Sequence, residues 1–228
     1  MDSARKELIV DDPYVDWESE LMQFRLTYEG PLLSDTTKGE KVAGRAKHKQ
    51  EIRKAFHPQL RRLWQVHPIL SQELGDIADA NFLITESKAI PHKIDDLAAN
   101  FPRNGYNFVP LVTRAIGLHC ALDILFLRNE APGNILHKGD IDNRVKTLVD
   151  GLKMPRSQGE MGGYDAPSDD EKPFFCLLED DSLITRFSVE ADTLLQPLYG
   201  TVNNNDARVV ITVTLKPYVT TVFNQVFG

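Results

Sequence analysis

Along residues 22–33 (MQFRLTYEGPLL), Phe24, Leu26 and Tyr28 alternate with polar neighbours, which predicts a first strand that stops at Gly30-Pro31. The period then changes. Between Val42 and Val66, the residues Ile52, Phe56, Leu60 and Leu63 recur at three- and four-residue steps, predicting a helix that Pro58 kinks or splits near Phe56. Two further helices are expected over Leu70–Leu83 and Lys93–Ala99, with Pro91, Pro102, Gly105 and Pro110 marking loops between them. From Ile116 to Arg128 both alternating sets are largely apolar, as in a central strand. Asp142-Asn143 opens a short helix with one apolar stripe of Val145, Leu148, Val149 and Leu152, closed by Lys153-Met154-Pro155. Extended structure is expected over 174–190, with Leu183, Phe187 and Val189 on one face and Arg186, Ser188 and Glu190 on the other. Ala207 to Tyr218 alternates most cleanly of all. The order of strand, helices, strand, helix, strand, strand predicts an α/β (α+β) class, a mixed β-sheet packed with helices in one domain spanning 1–228. Within that domain, 1–20 reads as an acidic arm and 31–110 as a helical, partly basic insertion. Residues 155–173, rich in Gly, Pro, Ser and Asp, read as a mobile loop.

Composition narrows the class. Of the 228 residues, 42% are hydrophobic and 26% charged, enough for a packed core and against wholesale disorder. Apolar runs such as Ile124-Leu125-Phe126-Leu127 are far too short for a membrane span, and the acidic N-terminal stretch has no apolar signal region. Cys120 and Cys176 stand far apart, which excludes a disulfide scaffold and a cysteine zinc site and makes the cytoplasm the expected location. The six histidines form no H-x-x-x-H or H-E-x-x-H pair, and no G-x-S-x-G elbow or phosphate-cradling glycine loop is present. No small-molecule cofactor is therefore expected. Net charge is −7, yet nine basic residues against Glu40 and Glu51 crowd the segment from Lys38 to Trp64. Such a split makes either one cationic surface on an acidic body or an ordinary solvated helix face.

Two acidic clusters carry the candidate chemistry. Gly139-Asp140-Ile141-Asp142-Asn143-Arg144-Val145-Lys146 sits where a loop meets a helix, and Glu179-Asp180-Asp181-Ser182 heads a strand. Two apart in an extended approach, Asp140 and Asp142 would project to the same side, and Asp180 or Asp181 would join them if the strands pair. Converging carboxylates repel unless hard cations sit between them, and an all-oxygen set suits Mg²⁺, with Mn²⁺ as a substitute. Such ions activate a water and clamp a phosphodiester for in-line displacement. Lys146, one turn into the helix, would address the same phosphate. The plainer alternatives are an N-cap for Asp142, a turn for Asp140, and a hairpin or charged strand end for Asp180-Asp181. Asp150 is expected to pair with Lys146 at i, i+4.

The combination of GDIDNRVKTLVDGL with EDDSLITRFSVE resembles the signature of the RusA family of Holliday-junction resolvases: D-x-D-N-x-x-K at a helix start, V-x-D-G/A-L at its end, and a later D-D-S/A. The matching positions are Asp140, Asp142, Asn143, Lys146, Asp150-Gly151-Leu152 and Asp180-Asp181-Ser182, and the likeness covers roughly 116–216. The resemblance implies a small mixed α/β, Mg²⁺-dependent endonuclease that acts as a homodimer and cuts branched DNA, a four-way junction, in pairs. It implies Asp140, Asp142 and Asp181 as metal ligands, Asp180 as a ligand or support, and Lys146 as the phosphate-facing lysine. Candidate DNA contacts are Lys138, Arg144, Arg53, Lys54, Arg61 and Arg62.

Three features depart from that family. The chain is about twice as long as many members, the link from Met154 to Leu178 is longer, and the charge is acidic where members are basic. Two alternatives therefore stand beside the resolvase: a non-catalytic nucleic-acid-binding or protein-interaction module, and a nuclease for other branched DNA or RNA.

Overall fold

The structure is a computed structural model and describes residues 21–34, 42–71, 94–130 and 140–219, together with Asn224 and Phe227. Strand β1 spans Gln23–Pro31, followed by helix α1 (Val42–Val66), the single-turn α2 (Pro68–Ser71) and α3 (Ile94–Asn100). The short β2 (Pro102–Arg103) leads into β3 (Tyr106–Val112) and β4 (Leu118–Arg128), then helix α4 (Asp140–Leu152). Strands β5 (Phe174–Leu178), β6 (Ile184–Thr193) and β7 (Asp206–Pro217) complete the described chain. The strands form two sheets, one ordered β1-β7-β4-β6 and the other β2-β3-β5. β7 runs antiparallel to β1 and β4, while β4–β6 and β3–β5 are parallel pairs. The class is mixed α+β, as the element order predicts. The acidic arm at 1–20 and most of the helix expected over 70–83 lie outside the described residues. No described helix is long and apolar enough to cross a membrane.

Registers explain why the larger sheet holds. Leu122, Ile124 and Phe126 of β4 stand opposite Val213, Ile211 and Val209 of β7, and the latter two also face Leu26 and Tyr28 of β1. All are buried in one cluster with Ile52, Phe56, Leu60 and Trp64 of α1, a stripe repeating every four residues. Burial on that face carries α1 through Pro58: the helix runs unbroken from Val42 to Val66 rather than splitting near Phe56. The next residue, Gln59, does further work. Its amide accepts from Thr27 N (2.9 Å) and donates to Thr27 O (2.7 Å), pairing the outer edge of β1 as another strand would.

The stretch at 174–190 is two strands, not one. β5 belongs to the small sheet and β6 to the large one, with a 3₁₀ turn at Asp181–Leu183 carrying the chain between them. Leu183 is buried in that turn instead of sharing a strand face with Phe187 and Val189. β3 occupies a region expected to be loop. On the β2 side, Tyr106 and Asn107 pair with Arg103 and Pro102, and Phe108 N donates to Phe101 O (3.0 Å); this pairing ends before Pro110, so its missing N–H is not called on there. Residues 155–173, expected to be a mobile loop, contain 3₁₀ turns at Gln158–Met161 and Asp169–Glu171. They bury Met161 with Tyr106, Phe108, Met154, Phe174 and Cys176.

Helices α1 and α4 meet at Gly151. A Cβ built there would lie 2.4 Å from Ile52 Cγ2 and 2.9 Å from Ile52 Cβ, so the D-G-L helix end requires a residue without a side chain. Gly151→Ala should destabilise the fold by about 1–3 kcal/mol, the usual cost of overpacking a core, read as a lower urea midpoint. An unchanged midpoint would mean the two helices can separate freely.

His57 ties α1 to β5. Its Nδ1 accepts from Phe175 N (2.8 Å), so Nε2 carries the proton and donates to Asp170 O (2.9 Å). Burial pushes the imidazole below its ordinary value, and a second proton would face the Phe175 N–H. A depressed folded value means the stabilisation is complete above the unfolded histidine pKa of about 6.5 and is lost as pH falls below it. The urea midpoint of the wild type should therefore drop more between pH 7.5 and pH 5.5 than that of His57→Gln. Equal drops would remove His57 from the account.

Candidate functional site

Helix α4 presents Asp142, Lys146 and Asp150 at four-residue steps along one side, with Ile141, Val145 and Val149 between them. These six residues form one wall of a cleft of about 430 Å³. Opposite stand Asp181 from the 3₁₀ turn and Ile184, Phe187 and Val189 of β6, an outer strand of the sheet. Phe187 is 44% exposed there. The cleft thus has an apolar floor and a charged rim. Three candidate residues, Asp142, Lys146 and Asp181, line it together although they are separated by up to 39 positions in sequence.

The approach to this rim differs from the expected one. Helix α4 starts at Asp140, so Asp142 lies inside its first turn and strand-like alternation does not apply to that pair. The side chain of Asp140 and the whole of Lys138 lie outside the described residues. Asp180 is not among the residues that line the cleft. Its carboxylate accepts from Ser182 N (3.1 Å) as the cap of the 3₁₀ turn and pairs with Arg156 (2.9 Å) and Arg114 (3.7 Å). The hydrogen bonds from Ser182, reinforced by Arg156, hold this carboxyl well below the usual carboxylate range.

Asp150 does not pair with Lys146. Its two oxygens are taken by Lys153 (2.9 Å) and Lys49 (2.8 Å), because the last turn of α4 faces α1 and its own C-terminal lysine. Burial opposes the charge on Asp150, but the two lysines outweigh it and keep the carboxyl low. Lys153 also reaches Asp181 Oδ2 at 2.6 Å, so one ammonium bridges the two acidic segments. Its side chain is only 8% exposed; burial pulls its pKa down, yet the hydrogen bonds to Asp181 and Asp150 prevail and raise it. Arg156 takes the other oxygen of Asp181 at 3.2 Å. Asp142 and Lys146 engage no other described residue.

Arg53 explains why α4 ends where it does. It is 2% exposed, which excludes the phosphate contact expected of it, and it donates to Asp150 O (2.9 Å), Lys153 O (2.7 Å) and the Gln50 side chain. The first two are carbonyls at the helix end, where the intrahelical ladder leaves acceptors open. Met154 N then donates to Leu178 O (2.9 Å), joining the helix end to β5 three residues before Asp181. Arg144, another expected DNA contact, is also buried and donates to Asn204 O (2.9 Å). Lys54 pairs with Glu171 (2.8 Å) and lies over the Tyr164 ring. Arg61 and Arg62 are exposed.

Oxygen donors at Asp142 and Asp181 have the hardness that Mg²⁺ or Mn²⁺ requires. Among the described residues, no three acidic, histidine or cysteine side chains converge as a metal-binding group. Lys153, Lys49, Arg156 and Arg114 are the site residues the motif did not supply, whereas Asp150, a motif position, enters the site through Lys49 and Lys153. Lys153 and Arg156 follow the first motif segment closely and could be noticed there, whereas Lys49 and Arg114 lie far from it in sequence and only the fold brings them in. Compared with protein-family models, with curated proteins and with solved structures, the chain finds no match in any of the three.

Replacing Arg53 by Met should cost about 1.5–3 kcal/mol or more, the usual value of hydrogen bonds to a charged group. Arg53→Lys should restore little of it, because an ammonium lacks the fork that spans both carbonyls. Full recovery of the urea midpoint in the lysine variant would show that charge alone is needed.

Proposed function

We propose that this chain is a Mg²⁺-dependent, structure-selective endodeoxyribonuclease of RusA type, which resolves four-way DNA junctions by paired phosphodiester hydrolysis. The observation that carries the reading is the meeting of Asp142, Lys146 and Asp181 in one cleft, since the resemblance joined them by motif and not by proximity. Asp142 and Asp181 would hold the metal, with Asp140 beside Asp142 in sequence, and a bound ion would activate a water and offset charge on the phosphate. Lys146, exposed and without a partner among the described residues, would meet a phosphate as a point charge. A two-fold junction matches a two-fold homodimer, which places one such cleft on each strand to be cut.

A second reading rests on a different observation. Asp150, Asp180 and Asp181 are already matched by Lys49, Lys153, Arg114 and Arg156, as in a scaffold that keeps the fold without the chemistry. Such a module would bind nucleic acid without a divalent ion and with strong salt dependence.

Cleavage of a labelled synthetic four-way junction, with duplex, flap and single-stranded controls, separates the readings. On the nuclease reading, symmetric nicks appear only with Mg²⁺. Asp142→Asn should slow them by at least about 100-fold, the upper range for disturbing groups that merely support a metal ligand, while junction binding persists. Metal-independent binding with no cut would favour the scaffold, and undiminished cutting by Asp142→Asn would displace the site.

A further inference from the structure

We propose that the ammonium of Lys153 is a resident cation standing between Asp150 and Asp181, where it takes the place of a second divalent ion. The inference rests on the metal-dependent reading above, but its test does not use catalysis. Metal-dependent phosphodiester cleavage often employs two ions bridged by shared carboxylates. Here Asp150 and Asp181, which both line the cleft, are bridged by Lys153 Nζ, 2.6 Å from Asp181 Oδ2 and 2.9 Å from Asp150 Oδ1. Lys49 closes the remaining oxygen of Asp150 at 2.8 Å.

The two cations on Asp181 are not equivalent. Arg156 sits on Oδ1 at 3.2 Å with its side chain 58% exposed, so solvent or an incoming ion can replace it at little cost. Lys153 is 8% exposed, and its main chain is pinned by Arg53 at the carbonyl and by a bridge to Leu178. Removing it would leave Asp181 without its closest partner and Asp150 with one lysine in place of two. What an outside cation can reach is therefore the Asp142 carboxylate, which has no partner among the described residues, and Asp181 Oδ1 once the exposed Arg156 gives way. Lys153 acts as a positioning residue that fixes the direction of the Asp181 carboxylate and limits the cleft to one ion.

Binding of Mn²⁺ alone to the full chain, counted from the loss of the free-ion electron paramagnetic resonance signal, tests this. The wild type should bind one ion, Lys153→Met two, and Lys153→Arg one, with circular dichroism confirming that each variant is folded. Should Lys153→Met not fold, Lys153→Gln, which keeps polar contacts to both carboxylates but no charge, replaces it. A wild type that binds two ions overturns the proposal by itself, as does a folded neutral variant with no added ion. If the wild type binds none and the neutral variant binds one, Lys153 keeps its assigned place and the metal-dependent nuclease reading is what fails. No binding by either overturns both.

Discussion

The guanidinium of Arg53 is the fixed point on which the site depends. It lies inside the protein, between α1 and α4, and its fork spans the carbonyls of Asp150 and Lys153. A helix end in a packed interior leaves carbonyls that must find donors. Supplying them from α1 sets the direction in which the chain leaves α4, and so the position of Lys153. The contact is possible only because Gly151 lets the backbones close on Ile52. One residue without a side chain and one with the longest charged side chain together determine where the two acidic segments meet.

From that anchor the electrostatics follow. Lys153 is held at the helix end, and the chain beyond it is joined to β5, whose last residue lies three positions before Asp181. The carboxylates therefore approach one another through an ammonium, not across an empty gap. Burial would make a bare pair of this kind costly, and two or more hydrogen-bonded cations reverse the balance. The apolar side of the cleft has a different origin: Phe187 and Val189 stand on β6, an outer strand of the sheet, and line the cleft together with α4.

Much of the fold was legible in the periodicity. β1, α1 and β7 fall close to their expected ranges because the alternation or four-residue step records the face each buries, and β4 because both its alternating sets are largely apolar, as a strand between two others requires. β3 was hidden by Pro110, which stands beyond the residues paired with β2, and the β5–β6 division by a single 3₁₀ turn at Asp181–Leu183 that no proline or glycine marks. In the site, Asp142, Lys146 and Asp181 were legible as a motif, whereas Arg53 was misread. Its neighbours Lys49 and Lys54 are basic too, and nothing in a run of charges tells which member turns inward. Burial of Arg53 is decided by the spacing to Phe56 and Ile52, and by carbonyls almost a hundred residues away.

The same inward turn changes the meaning of the basic segment. Arg53 is consumed by a helix end, Lys54 by Glu171 and Lys49 by Asp150, so part of a local excess of positive charge is spent inside the fold while Arg61 and Arg62 stay exposed. Among the described residues lining the cleft, Lys146 is the single basic one, and it lies one turn after Asp142 on the helix. Asp150, Asp180 and Asp181 each spend their charge on lysine or arginine partners within the fold. Asp142 does not. Its carboxylate is exposed, without a described partner, and next to an equally unengaged ammonium, which makes this pair the part of the cleft with charge left to offer to something outside the chain.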